Sequence, residues 1–176
     1  FRFPEDAISQ IIQAKEYVNS NYGINVKGMW PSEGSISNES LKLIAEAGFK
    51  WAASDEEILV NSLKEDYRNT DKYFPRKIKI DEKEIAMLFR DHQLSDAIGF
   101  TYSRWNHFDA VNDFCHRLRN IRSEIVNTYG ENALNSAVVP IILDGENCWE
   151  YYKENGVPFC RELFSQLSNE YEFHSL

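Results

Sequence analysis

Apolar and polar positions alternate between two rhythms along this chain. Ala7, Ile8, Ile11, Ile12 and Val18 recur at helical spacing after Pro4-Glu5-Asp6, a helix start with a preset φ and acids at the positive end of the dipole. Gly23 offers the stop. Val26 to Trp30 then reads as a short strand. Ser37 is placed to cap a helix with Leu41, Ile44 and Ala45 on its apolar face, ending at Gly48. Phe49 to Ala53 predicts a second strand, and Ser54-Asp55-Glu56-Glu57 fits a capping box for the helix after it.

The stretch 64–84 is polar and irregular around Pro75, with a strand expected at Arg76 to Ile80 that turns at Asp81-Glu82-Lys83. Ile85 to Phe89 reads as the third core strand and Ile98 to Tyr102 as a further extended piece. The clearest helix runs from Phe108 to Tyr129, where Val111, Phe114, Leu118, Ile121 and Ile125 recur at three and four before Gly130. Ala137 to Leu143 is almost continuously apolar, as a strand buried on both faces would be, and a last helix is expected near Pro158 to Ser168. Strands alternating with helices predict an α/β fold: a mostly parallel sheet with outer helices, treated as a single domain over 1–176. Such sheets set their chemistry at the carboxyl ends of the strands.

Composition narrows the classes. At 176 residues the chain is short of the roughly 250 of a full (β/α)8 barrel. The formal net charge of −9 argues against a phosphate-gripping surface, so no nucleic-acid partner is expected. No apolar run approaches the ~20 residues of a membrane span, and no membrane partner is expected. Cys115, Cys148 and Cys160 form no even set and no Cys-x-x-Cys pair, which points to a reducing, cytoplasmic setting. The chain opens on Phe1 and enters a helix almost at once, the look of an excised or processed piece of something longer.

Acids follow each expected core strand: Glu33 after Trp30-Pro31-Ser32, then Asp55-Glu56-Glu57, then Asp91 with Asp96 shortly after, then Asp144-Gly145-Glu146. Several acids converging on one rim resist desolvation, so packing alone has no use for them all. Asp55 to Glu57 are equally at home on a helix N-terminus, and Asp91, between Arg90 and His92, could be half of an ion pair. Glu33 beside Trp30 and the acids after an apolar strand at Asp144 read more as chemistry. No Gly-rich phosphate loop, no Gly-x-Ser-x-Gly elbow and no His-Glu-x-x-His is present. A zinc site on His92 with Asp91 or Asp144 is the weaker reading, and Cys148 lacks a nearby histidine to activate it. Two carboxylates with tryptophans nearby are the minimal kit for glycoside cleavage: one acid protonates the leaving oxygen, the other attacks or activates water. The residues alone leave Asp91 and Asp144 both open as the proton donor.

Three motifs carry a resemblance. Gly28-Met29-Trp30-Pro31-Ser32-Glu33-Gly34-Ser35-Ile36-Ser37, Leu88-Phe89-Arg90-Asp91-His92-Gln93-Leu94-Ser95-Asp96-Ala97-Ile98-Gly99-Phe100 and Ile142-Leu143-Asp144-Gly145-Glu146-Asn147-Cys148-Trp149-Glu150 resemble glycoside hydrolase family 57, in its amylopullulanase-like branch. The resemblance implies retaining enzymes acting on α-glucans or maltooligosaccharides, on an incomplete, TIM-barrel-like (β/α)7 barrel, with no metal or other cofactor required. It implies Glu33 as nucleophile and Asp144 as acid/base. Trp30 and Glu146 match positions lining the sugar site, Asp91, His92 and Asp96 are assigned to substrate positioning, and Trp149 joins the substrate-binding set. The family's opening His-Gln-Pro strand, its sugar-binding glutamate motif and its C-terminal helical region have no counterpart here. The chain is thus expected to hold the later strands of the barrel without the first ones, and to form a homodimer through exposed sheet edges. Rival expectations are a 4-α-glucanotransferase or branching activity on the same site, a metal-dependent polysaccharide deacetylase-like enzyme with its metal near Asp91 and His92, and a non-catalytic carbohydrate-binding or assembly domain.

Overall fold

The computed structural model describes residues 2–145 and 149–170. The chain divides into two compact units, Phe1–Tyr67 with Lys72–Phe89, and Arg68–Asp71 with Arg90–Leu176.

The first unit opens with helix α1 (Pro4–Tyr22), which has Pro4 at its start, Glu5 and Asp6 in its first turn and a left-handed Gly23 at its end. Strand β1 is only Gly28–Met29, the middle of the expected run. Helix α2 (Asn38–Glu46) starts where Ser37 predicts it: the Ser37 hydroxyl accepts from the Ser40 amide at 3.1 Å, and the Ser40 hydroxyl accepts from the Ser37 amide at 2.8 Å. Its apolar face buries Leu41, Ile44 and Ala45. Strand β2 is Trp51–Asp55, two residues further along than expected. Ser54 therefore lies inside the strand, fully buried, and does not cap the helix. Asp55 caps α3 (Glu56–Leu63), its carboxylate accepting from the Glu57 amide at 3.1 Å. The hairpin of β3 (Arg76–Ile80) and β4 (Lys83–Arg90) turns at Asp81-Glu82 as expected.

The four strands run in the order β1-β2-β4-β3, with β1 and β2 parallel and the β3–β4 hairpin antiparallel. Parallel pairing aligns Gly28 with Trp51, and the Trp51 ring lies over the glycine so closely that a β-carbon on residue 28 would stand 1.9 Å from it. Only glycine fits. Leu41, Ile44, Ala52, Leu59, Ile85, Met87 and Phe89 make the core of this unit.

In the second unit, α4 (His92–Asp96) continues into a π-helical turn over Ala97–Thr101 and a 3-10 turn over Tyr102–Arg104. The expected strand at Ile98 to Tyr102 is therefore helical. Ile98 and Tyr102 are buried while Phe100 between them is 70% exposed, and adjacent Ala97 and Ile98 are both buried, a pattern that breaks a strand's alternation and fits a helix. Helix α5 (His107–Tyr129) is capped by Asn106, whose side chain accepts from the Phe108 amide at 2.9 Å. Helix α6 (Val157–Glu170) closes the described chain.

Ala137 to Leu143 also departs from expectation. The run forms no ladder among the described residues, and only Pro140 in it is buried. Val139, Ile141 and Leu143 pack on the core of the unit, so alternate residues face it on one side only. Pro140 has no amide to give a ladder, and side chains take the polar groups of Ile142 instead. The core here joins Leu94, Ile98, Tyr102, Val111, Phe114 and Phe159.

Candidate active site

In the first unit the candidate site forms where β1 and β2 end. Because these strands are parallel neighbours, Glu33, just after β1, and Asp55, the last residue of β2, both stand at the carboxyl ends of paired strands. Pro31 is buried and anchors the entry to a 3-10 turn over Ser32–Gly34. Within that turn Glu33 has φ 55° and ψ 22°, the left-handed region, with its side chain in solvent. A non-glycine residue is rarely held there, and the cost must be met by its surroundings. Ser54 supplies part of this: its buried hydroxyl donates to the Gly34 carbonyl at 2.6 Å. Gly34 is left-handed too, at φ 65°, and a β-carbon on it would come within 2.9 Å of the Trp30 ring. Trp30, 37% exposed, thus lies against the backbone next to Glu33 with part of its ring available to a ligand. Asp55 and Glu56 take structural positions instead, the first as helix cap and the second as ion-pair partner of the buried Lys72 ammonium.

In the second unit Asp91 follows β4 and is 2% exposed. Its carboxylate accepts from the Leu94 amide at 2.8 Å and so caps α4. Asp96, one turn on, meets Arg90 Nη2 at 2.6 Å through one oxygen and His92 Nε2 at 2.9 Å through the other. The His92 and Asp96 side chains are 44% and 35% exposed, open enough to touch a ligand. Asp144 is exposed, two residues beyond Ile142. Trp149 is half-buried among Tyr152 and Phe159, and a β-carbon on Gly156 would meet its ring at 2.7 Å. Glu146 lies outside the described residues, as does Cys148. Trp30 and Glu33 thus share one unit, while Asp91, His92, Asp96, Asp144 and Trp149 belong to the other. Among the described residues no three His, Cys, Asp or Glu side chains converge as metal ligands.

Sequence reasoning gave Ser54 a helix-capping role, named Arg90 only as a neighbour of Asp91, and gave Ser95 no role. The signal for Ser54 is the Ala52-Ala53-Ser54 run of small residues in a core strand, which lets neighbouring backbone approach. Arg90 and Ser95 sit inside the second quoted motif, flanked by the acids that drew attention.

Titration is shaped most clearly beside this motif. The Tyr102 phenol donates to Asp113 at 2.6 Å, and Arg117 Nε donates to the same oxygen at 2.7 Å. Burial, then the Asp113 carboxylate, holds the Tyr102 phenol protonated well above its usual range. For Asp113 burial pushes upward, but the hydrogen bonds from Tyr102 and Arg117 outweigh it and hold the carboxyl below its ordinary value.

Comparison with known proteins completes the picture. The family model of glycosyl hydrolase family 57 matches residues 3–175. No curated protein matches the chain. Among solved structures, the 4-alpha-glucanotransferase from Thermococcus litoralis is similar with a TM-score of 0.73 at 20% identity, over 95% of this chain. The match spans 24% of that longer protein. At this identity the likeness establishes the fold: a mixed α/β arrangement with a mostly parallel sheet, matching a fragment of a (β/α)7 barrel.

Proposed function

The chain belongs to glycosyl hydrolase family 57, and from that premise we propose that it forms part of the catalytic barrel of a retaining, α-glucan-active enzyme of the amylopullulanase-like branch. Glu33 is the nucleophile and Asp144 the acid/base. The Glu33 carboxylate attacks the anomeric carbon as the bond to the leaving oxygen breaks, and the Asp144 carboxyl gives that oxygen its proton. A glycosyl ester on Glu33 results. The Asp144 carboxylate then takes a proton from water, whose oxygen attacks the same carbon and frees Glu33. Trp30 offers an aromatic face to the apolar side of a sugar ring, and His92 and Asp96 offer polar contacts to its hydroxyls. Asp91, buried and engaged as a cap, supports the turn that carries them.

The observation that most supports this reading is Glu33 itself: an exposed acid fixed in a left-handed conformation at the carboxyl end of a parallel strand, with a tryptophan ring against the next residue. Strain of this kind gathers at functional sites because a unique side-chain direction is needed there. In the full-length protein, Glu33→Gln and Asp144→Asn should each lower turnover of maltooligosaccharides by at least about 10²-fold while leaving the thermal melt in place. Normal turnover by both variants would sink the assignment. In a competent enzyme a retaining pair should hold its carboxyl groups ~5–5.5 Å apart, which a sugar-bound structure would measure.

Transfer in place of hydrolysis is the second reading, favoured by the likeness to a glucanotransferase. The chemistry is unchanged except that a sugar hydroxyl replaces water in the second step. Product analysis separates the two: transfer yields oligosaccharides longer than the substrate, hydrolysis only shorter ones.

A further inference from the structure

We propose that Arg90 and Ser95 are positioning residues that set where Asp144 stands, an inference that rests on the reading of Asp144 as acid/base. The segment leading to Asp144 has no ladder to fix it among the described residues. It is tied instead to the turn that follows β4. The Asp91 amide donates to the Pro140 carbonyl at 2.9 Å. Arg90 Nε donates to the Ile142 carbonyl at 2.9 Å, and the Ile142 amide donates to Ser95 Oγ at 3.2 Å.

Both backbone polar groups of Ile142 are thereby held by side chains from one motif, and Asp144 lies two residues past the last tie. Those side chains are themselves constrained. Ser95 is fully buried, and the Arg90 guanidinium is fixed by Asp96 at 2.6 Å, which His92 also meets. Water competes poorly for bonds in such a place, so they hold geometry rather than merely adding stability. A general acid must sit within hydrogen-bonding reach of the leaving oxygen, and a displacement of about 1 Å can cost ~10²-fold in rate. Asp96, in this arrangement, orients Arg90 as well as facing outward.

A proton donor matters for a sugar alkoxide leaving group and hardly at all for fluoride. The test therefore compares kcat/KM for a maltooligosaccharide and for α-maltosyl fluoride in the full-length protein. Asp144→Asn serves as the reference. Ser95→Ala and Arg90→Lys should each lose about 10- to 100-fold on the oligosaccharide and change little on the fluoride, with Ser95→Thr, which keeps a hydroxyl, close to the parent. A variant that folds poorly lowers both substrates by one factor and leaves their ratio alone. If Asp144→Asn shows the selective loss while Ser95→Ala and Arg90→Lys leave the ratio unchanged, the positioning inference fails and the catalytic reading stands. If Asp144→Asn itself shows no selectivity, both fall.

Discussion

A glutamate at φ 55° is costly in proportion to how firmly it must be held, and the residues around Glu33 show the means. The Ser54 hydroxyl bonds the carbonyl of the next residue from a fully buried position. Ser54→Ala should destabilise the first unit by about 1–2 kcal/mol, the cost of a lost buried hydrogen bond, as read by chemical denaturation. Its effect on turnover should exceed what that stability loss explains, because the turn would no longer be pinned beside Glu33. Gly34→Ala should act through two routes. The left-handed φ of 65° penalises any β-carbon by roughly 1–2 kcal/mol, and the new methyl would push the Trp30 ring from its place. Weaker maltooligosaccharide binding, by calorimetry, is the expected mark of the second route.

At the scale of elements, helices were the most legible part of the sequence. Pro4, Ser37 and Gly130 mark ends that the structure keeps, because caps and breakers act locally and need no distant partner. Strand positions depend on partners that the sequence does not show, and β2 lies two residues beyond its expected place, which moved the cap from Ser54 to Asp55. The acids after β1 and β2 were legible as a strand-end pattern, but the serine and arginine that support the site were not. Their roles come from bonds to backbone carbonyls and amides, which leave no trace in residue type. The turn after α4 shows the same lesson through charge. Asp113 ties Tyr102 to α5, and its carboxyl is held below the ordinary aspartate value of about 3.9. The stability it contributes is present above that value and is lost as pH falls through the lower folded one. Tyr102, raised, contributes stability below about pH 10 that is lost as pH climbs further. Asp113→Asn should therefore flatten the acid limb of a stability-against-pH curve followed by circular dichroism and soften the alkaline limb only in part, since the burial that raises Tyr102 stays in place.

For the whole molecule, the sheet order leaves β1 and β3 at the edges. β1 is two residues long, and β3 carries exposed Lys77 and Lys79 alternating with Ile78 and Ile80. Lysines along an edge discourage another strand from docking. Replacing both by valine should promote self-association, visible as a heavier species in sedimentation velocity, and the loss of the exposed Lys77–Glu84 pair should matter little. No described helix is long and apolar enough to cross a membrane. Each compact unit also carries two of the four tryptophans: Trp30 and Trp51 in the first, Trp105 and Trp149 in the second. Three of these indoles lie against a glycine, Trp30 on Gly34 and Trp51 on Gly28 in the first unit and Trp149 on Gly156 in the second. The chain thus contains its own optical probes. Emission from variants that keep only one wedged indole would report the opening of one half without any attached dye.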